Sequence, residues 1–274
     1  MKLCVVLDNN TYVDEYYYGE PGVCYYIEDE GINILFDVGY SDVFLKNASK
    51  LGISLLNLDA LVLSHGHDDH TGGLPFLFQD REGMETAKKM MLITHPATFD
   101  KKYLDGQEIG CPINRSESAK HSRLLLTKEP FKISDHITFL GEIPKVMEFE
   151  KAYSIGMKGE MGQEAEDFIS EDSALVLQGN DGIYVITGCS HSGICNIIEY
   201  AKKVTGVNHV CGVLGGFHLF DIASERVQST IDYLEKQNIP ELYPCHCTSF
   251  DVKAAMYQRM KVKEVGVGLV LEWK

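Results

Sequence analysis

The chain has 274 residues, 45% hydrophobic and 24% charged, ordinary for a globular protein and enough to bury a sizeable core. Forty acidic residues against twenty-five basic ones leave a formal net charge of −15, and no Lys/Arg stripe counters it, so a nucleic-acid partner is disfavoured. No apolar run reaches the eighteen or so residues that span a bilayer, so no membrane partner is expected either.

The opening "MKLCVVLDNN" reads as a first strand rather than a leader, and the cytoplasm is the expected compartment. "KLCVVLD", "GVCYYIED" and "INILFDVG" predict short apolar strands punctuated by Gly and Asp. "SDVFLKNASKLG" opens on Ser41 as a helix cap and closes on Gly52. "DALVLSH" is a buried strand that ends at His65, and a helix begins near Gly72 in "TGGLPFLFQD". Residues 100–170 break this rhythm; rich in Gly, Lys and Glu ("SIGMKGEMGQEAEDF"), they read as an insertion that covers a site.

Beyond it, "SALVLQG" and "GIYVITG" predict a hairpin around "NDG". A helix over about 193–204, the strand "HVCGVLGG" and a helix over about 224–236 follow. The strand "ELYP", a helix after Ser249 and a closing strand in "GVGLVLEW" complete the chain. Strands interleaved with helices in two halves imply sheets covered by helices on their outer faces, in one domain over 1–274. Eight cysteines without a leader read as free thiols, several of them small hydrophobes in strands. Cys245 and Cys247 flank His246 and, on extended chain, point away from it, which suits structural roles.

Residues 65 to 70, His-Gly-His-Asp-Asp-His, hold three of the ten histidines in six positions. They follow an apolar strand, where α/β folds place metal and catalytic groups. His65 and His67, two apart on extended chain, aim the same way, and Asp69 and His70 aim at a neighbouring point. A tetrahedral site with a reactive position needs ligands from elsewhere as well. His191 in "TGCSHSG" and His246 in "YPCHCTS" stand at the ends of other apolar strands. Three such clusters favour a metal centre over isolated loop or capping histidines.

His218 in "GGFHLF" is at another strand end, behind two glycines that let a substrate or backbone approach. It is a candidate for contacting substrate or giving a proton to the leaving group; a hydrogen-bonded histidine under the cleft is the alternative. His95 reads as structural or cleft wall, Asp68 as a solvent-facing turn residue, and His121, His136 and His209 as surface residues. Arg115 and Lys145 are candidates for receiving a phosphate, and the aromatic run over 12–26 either stacks on a flat ring or packs.

His65-Gly66-His67-Asp68-Asp69-His70 meets in full His-x-His-x-Asp-His, the first motif of the metallo-β-lactamase superfamily, which the chain resembles over nearly its whole length. "ILFDVG", "LSHGHDDHTGGL", "GEIPKVMEFE", "ITGCSHSGICNII", "VLGGFHL" and "CHCTS", in that order, resemble the subgroup named for 7,8-dihydropterin-6-methyl-4-(β-D-ribofuranosyl)aminobenzene 5′-phosphate synthase. The resemblance implies a four-layer αββα sandwich with two divalent metal ions in the cleft between its sheets. His65, His67 and His191 would hold one metal; Asp69, His70 and His246 would hold the other. Zinc is the first expectation, and the same ligands accommodate iron or manganese.

Where many hydrolase members carry a bridging aspartate in "TGD", this chain reads Thr187-Gly188-Cys189. Cys189 then either supplies a thiolate or only packs there, leaving the second metal short of a ligand. The implied catalyst is a metal-activated water, with Asp69 a ligand that also orients it. The implied function is hydrolysis or pyrophosphate-displacing condensation of a small anionic, phosphorylated or pterin-like substrate. A phosphodiesterase or lactonase, a nuclease, a di-iron oxygen or nitric-oxide reductase, and a metal-binding regulator without turnover are the competing readings; a homo-oligomer is compatible with all of them. Net charge opposes the nuclease, and His67 stands where the reductases carry glutamate.

Overall fold

Alternation along the apolar strands decides what each sheet face touches. In the computed structural model, which describes residues 1–83, 89–160 and 162–273, two main sheets lie face to face. The first runs Val270–Glu272, Lys2–Leu7, Cys24–Asp29, Ile32–Phe36, Ala60–Val62, Met91–Thr94, Arg123–Leu126. The second runs Glu241–Cys245, Val210–Gly216, Ile183–Thr187, Ala174–Gln178, Ile137–Phe139, Phe131–Lys132.

Side chains two apart share a face. Leu3, Val5, Tyr25, Ile27, Ile34 and Phe36 therefore meet Leu175, Leu177, Ile186, Leu214 and Tyr243 between the sheets. The intervening Leu35, Leu61 and Leu92 face outward against the helices Val43–Leu51 and Leu74–Arg81. Val176, Val185 and Val213 likewise pack on the helices Ile194–Thr205, Glu225–Gln237 and Phe250–Tyr257. Three apolar layers thus separate four layers of structure, the expected αββα sandwich. Fully burying one such Leu, Ile or Phe contributes about 1.5–3 kcal/mol.

Within each sheet a run of strands is parallel: Ile32–Phe36 through Arg123–Leu126 in the first, Ile183–Thr187 through Glu241–Cys245 in the second. Parallel strands end at one edge, and open α/β sheets bind ligands outside those carboxyl ends. Asp37, Ser64, Cys189, His218 and His246 all lie just beyond such ends.

Four local expectations shift. Asp42, not Ser41, is the cap residue of the first helix, but Ser41 Oγ accepts from Val43 N–H at 3.3 Å while donating to Glu20. Residues Asp68–Thr71, expected to be irregular, form one helical turn before the helix Leu74–Arg81. The closing strand leaves the second half and pairs with Lys2–Leu7 on the edge of the first sheet. Of residues 100–170, Arg123–Leu126 belongs to the first sheet, and Phe131–Lys132 and Ile137–Phe139 to the second. The remainder forms a small sheet of Ala165–Glu166, Met157–Lys158, Lys102–Leu104 and Gln107–Glu108.

Candidate metal centre

The first-half residues are held by one buried carboxylate. Asp37 follows the strand Ile32–Phe36 in left-handed backbone (φ 57°) and is fully buried. It accepts from Ser64 N–H at 2.7 Å and Ser64 Oγ at 2.7 Å, and it lies 2.7 Å from His70 Nδ1. Ser64 Oγ is also 2.9 Å from His65 Nδ1. A buried carboxylate is tolerated only when its oxygens are satisfied, and here three contacts do so. With both Nδ1 atoms engaged, His65 and His70 present Nε2 inward. His65 Nε2 lies 3.1 Å from His67 Nδ1, and His70 Nε2 lies 3.1 Å from Cys189 Sγ. Gly188 must lack a side chain, because a Cβ there would stand 2.3 Å from Ser64 Oγ.

The second-half residues are held more loosely. His191 is buried, yet neither ring nitrogen has a hydrogen-bond partner. His246 sits in left-handed backbone (φ 49°), with Nδ1 2.8 Å from Asn9 Oδ1. Its Nε2 is 3.2 Å from Asp69 Oδ2 but misaligned for a hydrogen bond. His67 Nε2 is a further buried nitrogen without a partner. Each unsatisfied buried polar atom costs about 1–3 kcal/mol, so three neighbouring imidazoles with unpartnered nitrogens favour a further partner among them.

A metal ion would be such a partner. Donor atoms of Asp69, His70, Cys189 and His246 lie within 4.8 Å of one another, as do those of His65, Cys189 and His191, and those of His65, His67 and Asp69. Imidazole, carboxylate and thiol suit zinc or another divalent transition metal, so the residues present fit such ions.

The electrostatics are divided in the same way. Burial drives the pKa values of His65 and His191 well down, and brings His67 to about 4. Neutral imidazole is the form that binds metal. Burial also opposes charge on His70, but the Asp69 and Asp37 carboxylates overcome it and push His70 up to about 9. Burial raises the Cys189 thiol well above its ordinary value. A coordinated cation deprotonates a thiol outright.

A cleft of about 600 Å³ opens over these groups, within the range of small-molecule sites. His67, Asp68, Asp69, Cys189, His191, His218, His246 and Cys247 line it, and Pro21, Tyr40, Leu104, Ile109, Ile155 and Phe220 make its apolar rim. Leu104, Ile109 and Ile155 come from the segment expected to cover a site. That segment is stitched to the first motif: Asp68 N–H donates to Ile109 O at 2.9 Å, and His67 pairs with Gly110. Beneath it, Lys102 is buried with Nζ 2.6 Å from Asp167 and 2.5 Å from Glu171, its stem so close to Gly66 that a Cβ there would meet it at 2.7 Å.

The structure therefore gathers His65, His67, Asp69, His70, Cys189, His191 and His246, with His218 at the margin. Its ring lies 4.4 Å from that of His191. Two expectations fail here. Cys247 does not point away from the cleft but lines it, because left-handed His246 breaks the alternation of extended chain. Asp68 also lines the cleft and is half-buried, because the helical turn directs it there.

Gly215 and Gly216 make room for backbone and Cys247 rather than substrate: added Cβ atoms would meet Thr187 O at 2.1 Å and Cys247 Sγ at 2.5 Å. Cys245 is core, 3.3 Å from the Tyr25 hydroxyl. Arg115, Lys145, His95 and the tyrosines of 12–26 do not line the cleft. His95 Nδ1 caps a short helix at Ala97 N–H. His136 bonds the buried Asp29, and His121 stacks on Phe78. Asp37, Ser64, Asn9 and Lys102 escaped the reading; the one local signal was a charged residue ending the apolar strand "ILFDVG".

The metallo-β-lactamase superfamily model matches residues 17–96. A Methanocaldococcus jannaschii protein named 7,8-dihydropterin-6-methyl-4-(β-D-ribofuranosyl)-aminobenzene-5′-phosphate synthase is 30% identical over 95% of this chain and 92% of its own. The chain belongs to the metallo-β-lactamase superfamily. An uncharacterised protein of the same organism is 32% identical, covering 93% of each chain. A solved metal-dependent hydrolase of the β-lactamase superfamily is 27% identical, with 99% of this chain and 98% of that one aligned at a TM-score of 0.83. As a member of this superfamily the chain is an enzyme on a metal-dependent hydrolase fold.

Proposed function

We propose that the chain holds two divalent metal ions, zinc by first preference, and acts on a small anionic substrate. The reaction is either attack of water at the phosphorus of a phosphoester, with the alkoxide leaving, or a pterin-type condensation in which an aromatic ring attacks a pterin methylene carbon and pyrophosphate leaves. The observation that carries this reading is Cys189, whose sulfur belongs to two donor clusters at once, one with Asp69, His70 and His246 and one with His65 and His191. A thiolate there would take the bridging place of the aspartate that "TGC" lacks. His67 would complete the His65–His191 cluster, and Asp69 would reach both. The cations would supply Lewis acidity, polarising a phosphoryl oxygen and acidifying water to near neutral pH.

The chain's own groups do the rest. Asp37 and Ser64 orient two imidazoles, Asn9 a third, and the apolar rim excludes water from the cleft. Asp69, kept a carboxylate against its burial by His70 and His246, accepts a hydrogen bond that orients the attacking water, and His218 faces the substrate. The condensation is supported by the relative named as a pterin-related synthase, and hydrolysis by the solved hydrolase. Eight free thiols fit a reducing, cytoplasmic compartment, and among the described residues no helix is long and apolar enough to cross a membrane.

Elemental analysis of purified protein tests the metals, with close to two per chain expected and one in Cys189→Ala. A panel of bis(4-nitrophenyl) phosphate, a lactone, and a dihydropterin-methyl pyrophosphate with an aromatic amine tests the chemistry, each with and without chelator. Turnover of the pterin pair alone selects the transferase; turnover of the phosphodiester alone selects the hydrolase. Fewer than one metal per chain, or turnover that survives chelation, refutes the reading.

A further inference from the structure

Tyr153 precedes the strand Met157–Lys158 in the segment that walls the cleft, and its hydroxyl is 2.6 Å from Nδ1 of His218. His218 cannot swing away easily. Its backbone is left-handed (φ 50°), and both neighbours are tied down: Phe217 N–H donates to Thr248 Oγ1 at 3.0 Å, and Leu219 N–H to Cys247 O at 3.2 Å. The ring is wedged between His191 at 4.4 Å and Phe220 at 4.8 Å, and it lines the cleft. The Arg226 guanidinium sits 4.9 Å from the Tyr153 ring centroid. Its Nε and one terminal nitrogen are buried without a hydrogen-bond partner, and it makes no ion pair among the described residues. Its charge acts on the phenol as well as favouring the ionised form of the Glu150 carboxylate. A cation on the ring face draws electron density off the hydroxyl and makes it a better donor.

A neutral imidazole carries one ring proton, and the nitrogen that accepts a hydrogen bond is the one without it. We infer that Tyr153 is a positioning residue whose hydroxyl donates to Nδ1 of His218, holding the ring proton on Nε2 as a neutral N–H donor for an oxygen of an anionic substrate. Nothing is transferred: Tyr153 keeps its proton in the hydrogen bond, and His218 binds the substrate oxygen without protonating it. The inference rests on the reading of this cleft as the substrate site and deepens it, because a fixed N–H beside the metal ligands selects substrates that present a phosphoryl or carboxyl oxygen there. A reversed hydrogen bond, with Nδ1–H donating to the phenol, would instead offer the cleft a lone pair, which repels the same oxygen.

Long-range nitrogen–proton NMR of metal-free protein labelled with ¹⁵N-histidine reads the tautomer directly, with the His218 signals identified by their loss in His218→Gln. The expected result is the Nε2–H form in the native chain and a mixture of both forms in Tyr153→Phe. Tyr153 is partly exposed, so losing one hydroxyl there leaves the fold intact. In metal-loaded protein turning over bis(4-nitrophenyl) phosphate, Tyr153→Phe should raise KM about tenfold while changing kcat far less. Combining it with His218→Gln should add nothing to His218→Gln alone. The inference is overturned by an Nδ1–H form in the native chain, by a tautomer unchanged in Tyr153→Phe, or by an unchanged KM where turnover is measured. Absence of all turnover would count against the proposed function, while the NMR result would still decide the role of Tyr153.

Discussion

The two halves of the centre are built on opposite plans. In the first half, His65 and His70 are set before any ligand arrives, because Asp37 and Ser64 bind their far ring nitrogens inside the core. In the second half, His191 has no hydrogen-bond partner at either nitrogen, and His246 has one hydrogen bond, to Asn9. Preorganisation costs the fold a buried carboxylate with its partners, whereas the unpartnered side leaves a penalty that a bound cation would relieve. Removing a first-half support should therefore damage the fold, and removing a second-half ligand should damage only metal binding.

The largest expected effect is Asp37→Ala, which strands Ser64 and His70 together. It should cost about 3–5 kcal/mol in denaturant unfolding, with and without metal, as breaking a buried charged pair does. A loss that appears only in the metal-bound protein would break the contrast. Next comes metal removal itself. Chelation should lower stability by about 2.7 kcal/mol if the ion was present at a hundred times its Kd, read as a fall in Tm on dialysis against chelator.

The metal-free protein adds a pH signature. His70 is pushed up to about 9 in the fold, against 6.5 when unfolded. A raised pKa of this kind gives stability that is complete below about 6.5 and disappears as pH climbs through 9. Metal-free protein should therefore weaken between pH 7 and pH 10. Metal affinity should rise over the same interval, because binding must displace that proton. A flat profile in calorimetry across buffers of different ionisation enthalpy would argue against it.

Asn9→Ala should weaken metal binding by about 10–100-fold, the usual effect of releasing a ligand imidazole, with little change in metal-free stability. The smallest effect belongs to His191→Ala. Measured on metal-free protein, it should cost under about 1 kcal/mol, since losing two unsatisfied nitrogens offsets much of the lost packing. In the same variant one metal per chain should disappear from elemental analysis. Equal destabilisation of metal-free His191→Ala and His70→Ala would remove the distinction between the halves.

The unevenness also governs how much could be read without coordinates. His65, His67, Asp69 and His70 were legible as a candidate cluster because all four fall within six residues after one strand. His191 and His246 were legible because each closes an apolar strand. Asp37 gave only a weak signal, and Asn9, Ser64 and Lys102 gave none, since each depends on a partner remote in the chain, Ser64 on Asp37. Asp37 meets Ser64 across 27 residues, and Asn9 meets His246 across 237. Cys247 was misplaced because left-handed backbone at His246, invisible in the letters, turned it towards the cleft.

Period-two alternation and strand-end histidines were enough to specify two apolar sheets, their helical cover and the side chains that gather as candidate metal donors, because those properties are carried by neighbours along the chain. Which nitrogen each imidazole presents, which thiol joins the cluster, and where the closing strand pairs were decided only when distant segments met. Those outcomes depend on hydrogen bonds between residues tens to hundreds of positions apart, and only packing brings such residues within reach of one another.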